Sequence, residues 1–550
     1  MAVTLERRQA RQSATDRALS TRAAAEAYIG GVCFKLGPPG LIGAELEWLT
    51  IHGECPASGP TAAPRPPLDL LADALGPYAP RSIAPDSPAL ALPGGSRVTI
   101  EPGGQIELSS APYATAAQLG QHLAGDARLL RDRLESHCLG IVSAAADADR
   151  RARRVLRLPR YQAMERYLAG IGPFGKLMMC NTAATQVSVD AGADPAEVAA
   201  RWAALYTIGP ALLAAFACSP ELRGAPAGEW ASQRMRTWLR LDHSRTRPPV
   251  EDWADPIAGY ARWALDAPLL CVRSEPDAAT TMSGGSSTSD GAWGHPGFVD
   301  AAAPTDGGSL PGRASSIDGA SSTGGASANG GVSRTGRASP TGGFSPNGGV
   351  SSTGRGAPNG GFAIGDGSSP RGASSNGSGS VHRDGARNGR GRATGGTDCA
   401  WAAPPGATFA DWLSGALDDE IGRRPDRGDL DYHLTTMFPP VRPSGHLEVR
   451  YLDAQPGASW TVPIDVIDAL MSSPAAVAEA TSIARPTVGR WLDAARCGLA
   501  DPEIRAAAVD LLEAAATHAA TPAAAADIGT AARRCRSARP PGVDEARAEP

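Results

Sequence analysis

Two carboxylates and an amide flank a proline-glycine turn in EPGGQIELS, residues 101–109. Side chains alternate along an extended chain, so past the turn Gln105, Glu107 and Ser109 fall on one face while Ile106 and Leu108 fall on the other. A strand face made of acids either meets plain solvent or holds something strongly positive, for which a bound divalent ion is the usual candidate. Taken alone, the stretch favours solvent. Three other segments repeat its pattern. In LIGAELEWLTI, 41–51, Ile42, Ala44, Leu46 and Trp48 oppose Glu45 and Glu47. In TQVSVD, 185–190, Gln186, Ser188 and Asp190 alternate with Val187 and Val189, and in HLEVRY, 446–451, His446, Glu448 and Arg450 alternate with Leu447, Val449 and Tyr451.

One such face reads as solvated; four are harder to dismiss. Glu45, Glu47, Glu101, Gln105, Glu107, Gln186 and Glu448 supply hard oxygen ligands of the kind Mg²⁺ or Mn²⁺ takes, with Arg236 and Arg450 as cations beside them. Zinc would ask for His and Cys. Carboxylates, Mg²⁺ and arginines are the parts that hold nucleotide phosphates and neutralise charge during phosphoryl transfer. In RMRTWLRLDHSRT, 234–246, Arg234, Arg236, Arg240 and Arg245 gather near Asp242, either as an anion site or as a surface cluster. GIGPFGK, 170–176, resembles a phosphate loop only superficially, because it lacks the GxxxxGK[ST] spacing after a strand. It reads as a loop before the strand at 184–190.

The elements that would position these groups follow from periodicity. An alanine-rich helix is expected over 14–34 with Asp16 as its cap, and a short helix over 67–76. An amphipathic helix over 115–140 carries Leu119, Leu123, Leu130 and Leu134, and a further helix covers 160–169. DPAEVAARWAALYTIGPALLAAFACSP, 194–220, reads as two core helical segments broken at Gly209-Pro210, with Asp194 as cap. From 274 to 398 the composition turns to Gly, Ser, Thr, Asn and Pro, with Thr-Gly or Asn-Gly recurring every six residues between 323 and 360. A hexapeptide period can signal a β-helix, but too few aliphatic residues are present to fill its rungs, so a disordered insertion is expected. Parts of one domain then lie at 1–273 and 399–535, with a frayed tail over 536–550.

The chain has 550 residues, and about 425 remain outside the insertion, ample for a large core. A formal net charge of -5 and dispersed Lys and Arg give no basis for a nucleic-acid or membrane surface, which leaves small molecules as partners. Nine cysteines occur singly without CxxC spacing, and the N-terminus lacks the apolar core of a signal peptide. No run is long enough on this reading to cross a bilayer, and a reduced, cytoplasmic protein is expected.

In order and spacing, GAELEWL, EPGGQIELSSAP, MMCNTAATQVSVD, RMRTWLRLD and PVRPSGHLEVRYLD resemble the glutamate-cysteine ligases of the plant and proteobacterial type, especially the actinobacterial branch that serves ergothioneine synthesis. The resemblance implies an α+β fold, a curved antiparallel sheet of the glutamine-synthetase-like kind with helices outside. It implies ATP-dependent activation of the γ-carboxylate of L-glutamate to a γ-glutamyl phosphate, then attack by the nitrogen of L-cysteine. By motif position Glu45, Glu47, Glu101, Glu107 and Glu448 would be Mg²⁺ (or Mn²⁺) ligands, and Glu107 with Arg450 would serve catalysis. Gln186, Thr182 and Arg236 would bind substrate, Arg236 by gripping the glutamate carboxylate. Ser188 and Asn181 depart from the family pattern, which bears on the acceptor pocket. A carboxylate-amine ligase with another acceptor, or a non-catalytic divalent-ion scaffold, are the alternatives; arginines inside a carboxylate cleft argue against the scaffold.

Overall fold

The structure is a computed structural model that describes residues 19, 21–37, 40–53, 63–250, 255–273 and 401–542. The expected insertion at 274–398 and the tail beyond 542 lie outside the described residues, as does Asp16. Nine strands are described: β1 (Ile42–His52), β2 (Arg97–Ile100), β3 (Ile106–Ser109), β4 (Leu139–Val142), β5 (Ala184–Val189), β6 (Cys271–Val272), β7 (Trp401–Ala402), β8 (Val441–Pro443) and β9 (Leu447–Asp453). Seven of them form one sheet in the order β2-β3-β1-β5-β9-β8, with β4 pairing the far end of β1. Every pairing in it is antiparallel. Strands and helices alternate irregularly along the chain, and the class is α+β.

Apolar residues on one face of this sheet make the core. Ala44, Leu46, Trp48, Val187, Val189, Val449 and Tyr451 are all buried there. Helices cover that face. Before β6 the chain forms α1 (Arg22–Cys33), α2 (Ala116–Glu135), α3 (Pro159–Ala169), α4 (Phe174–Asn181), α5 (Pro195–Phe216) and α6 (Gln233–Leu239), of which α3, α4 and α6 contribute to the other side of the sheet, where their residues line a cavity. After the last strand come α7 (Thr461–Leu470), α8 (Pro474–Ala484), α9 (Pro502–His518) and α10 (Pro522–Arg536). Helix α2 packs on β1, α5 on β9 and α7 on β5. Two tyrosines stitch α5 to the sheet: Tyr451 donates its hydroxyl to the Leu205 carbonyl at 3.2 Å, and Tyr206 donates to the Val441 carbonyl at 3.1 Å.

Four local expectations change. Thr21, not Asp16, caps α1, accepting the Ala24 N–H at 3.1 Å, and the helix continues through Gly30 and Gly31 to Cys33. GIGPFGK is not all loop, since α4 begins at Phe174. The expected break at Gly209-Pro210 is absent: α5 is one 22-residue helix with Pro210 inside it. Pro210 removes one backbone bond, but nearly every residue from Ala204 to Phe216 is buried, and tertiary packing outweighs that loss. Gly209 belongs to this packing, since a Cβ there would meet the Trp491 ring at 2.0 Å. The fourth change concerns length, because α5 is long and apolar enough to cross a membrane. Its apolar window is 72% buried inside the protein, as befits a core helix.

Candidate active site

The polar faces of the four strands come together on the side of the sheet away from the core. Register does this directly. Glu47 on β1 stands opposite Glu107 on β3, Thr99 on β2 opposite Glu107, Glu45 opposite Gln186 on β5, and Ser188 opposite Glu448 on β9. A bulge between Thr185 and Val187 shifts the β5-β9 register beside Gln186. Solvent is not what this face meets: Glu107, Gln186 and Glu448 are 1%, 2% and 1% exposed.

A cavity of about 270 Å³ opens over these strands. Glu47, Glu101, Glu107, Thr182 and Gln186 line it, with Arg234, Arg442 and Arg450. Glu45 and Glu448 lie next to it in the sheet but outside its lining. Arg442 holds Glu448 with two bonds, 2.6 and 3.0 Å long, and Arg450 donates to the same carboxylate at 2.7 Å. Gln186 donates its amide N–H to Glu47 at 2.9 Å, and the Ala184 N–H reaches the other Glu47 oxygen at 2.9 Å. Thr99 donates to Glu107 at 2.5 Å, and Ser109 donates to the same oxygen at 3.3 Å.

Burial and crowding act on the acids in one direction. Burial first, then the charges of Glu107 and Glu448, hold Glu45 well above the usual carboxylate range. Burial and Glu107 push Glu47 up to about 7. Glu101 is held well above the usual range by burial and then by Glu107 and Glu47. Glu107 is raised by burial, against the hydrogen bond from Thr99, with Glu448 adding to the rise. A positive ion among them would relieve this repulsion.

The donor set fits a hard divalent ion in kind. Three lining carboxylates are joined by the Gln186 Oε1, a buried oxygen without a hydrogen-bond partner among the described residues. No group of three His, Cys, Asp or Glu side chains among the described residues is gathered as a ready-made metal-ligand set. Glu448 is the least available of the five expected ligands, because two arginines already engage it.

The turn that carries Glu101 is fastened from several sides. The Gly104 N–H bonds the Glu101 carbonyl at 2.8 Å, Thr50 donates its hydroxyl to the Gly104 carbonyl at 2.6 Å, and the Val155 and Leu156 N–H groups bond the Pro102 carbonyl. Gln105 is fixed by its amide N–H, which bonds the Thr182 carbonyl at 2.9 Å. Gly103 lies so close to α4 that a Cβ there would meet the Cys180 carbonyl oxygen at 2.2 Å. Gly104 has φ +89°, a conformation that only glycine adopts freely. Asn181, one of the two departures from the family pattern, is fully buried at the end of α4, accepting from Arg65 at 2.7 Å and donating to the Arg150 carbonyl at 2.6 Å.

Arg236 is not brought to this cavity. Positions 234 and 236 lie about 200° apart around α6, so only one of them can face the sheet. Arg236 turns away from the cavity into a buried position, donating to the Pro226 and Ala227 carbonyls and stacking on Trp230 and Phe174. Arg234 turns inward with Trp238, one helical turn on. It bonds the Arg450 carbonyl at 2.8 Å, and the guanidiniums of Arg234 and Arg450 both lie over the Trp238 ring, 5.7 and 5.2 Å from its centre. The i, i+4 pair of Arg234 and Trp238 was the available signal. Arg442 and Arg160, also in the lining, carried none, because an arginine between prolines or before a tyrosine is as common on a surface.

Comparison with known proteins gives the same five motifs a setting. The family described as glutamate-cysteine ligase family 2 (GCS2) matches residues 41–547. A glutamate-cysteine ligase, EgtA, of Mycolicibacterium smegmatis is 30% identical over 499 residues, covering 90% of this chain and 84% of that protein. The EgtA of Mycobacterium tuberculosis is 29% identical over 511 residues, covering 92% and 85%. The chloroplastic glutamate-cysteine ligase of Medicago truncatula is 31% identical over 185 residues, covering 32% of this chain and 36% of that protein. A match that takes in the acid strands, the arginine helix and the last strand together identifies the chain as a member of the glutamate-cysteine ligase family, and as an enzyme of that kind.

Proposed function

We propose that this enzyme joins the γ-carboxyl of L-glutamate to L-cysteine at the expense of ATP, giving γ-glutamylcysteine, ADP and phosphate. The observation that carries this reading is a single cleft in which Glu47, Glu101 and Glu107 face Arg234, Arg442 and Arg450. Ion storage has no use for those cations, whereas phosphoryl transfer to a carboxylate needs both signs of charge at close quarters. The sheet and its outer helices then correspond to the glutamine-synthetase-like ligase fold.

Carboxylates are poor electrophiles, so a phosphate leaving group must be installed first. A γ-carboxylate oxygen of glutamate attacks the terminal phosphorus of ATP, and ADP departs. The cysteine nitrogen then attacks the acyl carbon, loses a proton, and phosphate departs with the C–O bonding pair. Glu47, Glu101 and Glu107, with the Gln186 Oε1, are the residues to hold Mg²⁺ or Mn²⁺, with Glu45 and Glu448 behind them. Such an ion, when bound, screens the repulsion between ATP and the substrate carboxylate.

Arg450 faces the transferring phosphoryl group and offsets its charge. Arg234 takes the role first expected of Arg236, binding the glutamate α-carboxylate, with Thr182 on the cleft wall nearby. Partners on this reading are small molecules in a cytoplasmic setting. The two EgtA relatives and the motif order support a product destined for ergothioneine synthesis.

Purified full-length protein with Mg-ATP and L-glutamate, scored for ADP release with L-cysteine and with a panel of other amines, tests the reading. Cysteine-dependent release with γ-glutamylcysteine as product is expected. Preference for another amine would reassign the product, and the absence of amine-dependent release with every amine would overturn the ligase reading.

A further inference from the structure

The reaction proposed above brings two amino acids into one cleft, and each carries an α-carboxylate that needs a cation. Arg234 and Arg450 stand on the wall made by α6 and β9, which is assigned to glutamate and the phosphoryl group. The facing wall runs through residues 156–164. It supplies Leu156, Leu158, Tyr161 and Met164 as apolar surface and Arg160 as its cation.

Arg160 is held but not used up. One terminal nitrogen donates to the Thr435 carbonyl at 2.6 Å, and the guanidinium lies 5.6 Å from the centre of the Tyr161 ring. Its Nε–H is buried and has no hydrogen-bond partner among the described residues. Arg442 and Arg450 each pair with Glu448, while Arg160 has no ion-pair partner among the described residues; Glu101 acts on it only at longer range. Its position is also unfavourable on local grounds, since it lies in the first turn of α3, where the helix dipole repels a positive charge. A guanidinium on a residue that lines the cavity, with a buried N–H lacking a partner among the described residues and a place against the helix dipole, points to an anionic ligand.

We propose that Arg160 binds the carboxylate of the acceptor amino acid, and so sets the preference of the enzyme for α-amino acids over simple amines. This rests on the ligase reading. The adjacent apolar side chains take the acceptor's side chain, and the amine is left to face the acyl carbon over the acid strands.

L-cysteine and cysteamine differ only in the carboxylate, so they separate this role from a structural one. Steady-state rates with each, at saturating L-glutamate and Mg-ATP, would be compared for the wild type, Arg160→Gln and Arg160→Lys. In Arg160→Gln the KM for cysteine is expected to rise roughly ten- to a hundredfold, the loss of one charge-assisted contact. The kcat/KM for cysteamine and the KM values for glutamate and ATP should stay within about twofold of wild type, and Arg160→Lys should recover part of the cysteine preference. Equal losses with cysteine and cysteamine, or a rise in KM for glutamate or ATP in place of cysteine, would overturn the assignment. Melting temperatures of both variants identify a variant that has merely lost its fold, and Arg160→Lys, which keeps the charge, then decides. Failure of the wild type to release ADP with any amine is a separate outcome that removes the ligase reading and this proposal with it.

Discussion

Glu47 and Glu107 stand directly opposite each other across β1 and β3, an arrangement that destabilises any sheet. Such a conflict between local rule and fold is where function concentrates. Glu107→Gln should therefore lower ligase turnover by at least about 100-fold while leaving the melting temperature unchanged or higher, because it removes a crowded buried charge. Normal turnover with a lower melting temperature would assign Glu107 to the scaffold. Arg442 behaves oppositely. It makes two of the bonds that hold the buried Glu448, so Arg442→Met should destabilise the protein by about 3 kcal/mol in urea titrations. At this scale the sequence was readable where side chains alternate on strands, as for Glu45, Glu47, Glu107 and Glu448. It was misleading at Arg236, where helical rotation selects Arg234, and silent at Arg160, whose partner is a backbone carbonyl 275 residues away.

The EPGG turn is the element on which the cleft geometry depends. Its contacts come from β1, from the segment around Val155 and from the end of α4, so its position is set three times over. Gly103→Ala must displace either the turn or the Cys180 backbone, and a cost of about 1–3 kcal/mol is expected, together with loss of turnover. An active, fully stable Gly103→Ala enzyme would show that the turn can move without consequence. The strands flanking the turn were legible because their apolar and polar residues alternate over four or more positions. Helix α4 was not, because Gly172, Pro173 and Gly175 interrupt its start, and β4 is only four residues long. The unbroken α5 was hidden for the opposite reason, since Pro210 is a local signal that burial on all sides overrides.

Across the whole molecule, two buried histidines link stability to acidity. His433 is pushed down to about 3 by burial, with Arg245 adding to the effect and the hydrogen bond to the Ala264 carbonyl opposing it; His446 is pushed down to about 4, mainly by burial. The unfolded chain binds a proton at each below about pH 6.5 and the folded chain does not, so this stability is complete above that pH and is lost as the pH falls towards 3. Each histidine contributes a slope on the order of 1.4 kcal/mol per pH unit in that window. His433→Gln keeps a donor for the Ala264 carbonyl, and urea unfolding at pH 4–6 should show the slope reduced by about one proton. An unchanged slope would remove His433 from the account. Deletion of residues 280–395, whose composition cannot build a core, should leave melting temperature and activity largely intact. Loss of folding on deletion would count against that expectation.

The sheet order has a consequence for synthesis. The acids of β1 and β3 leave the ribosome early, while the arginines that answer them, Arg442 and Arg450, belong to strands made more than 300 residues later. Until β9 emerges, β5 is an open edge and the carboxylates lack Arg442 and Arg450, so the nascent chain cannot close its cleft. Ribosome-stalled chains ending before Val441 should be inactive, chaperone-dependent and prone to edge-to-edge association. Arg442 and Arg450 thus arrive together on a single late hairpin, and α7, which packs on β5, follows it.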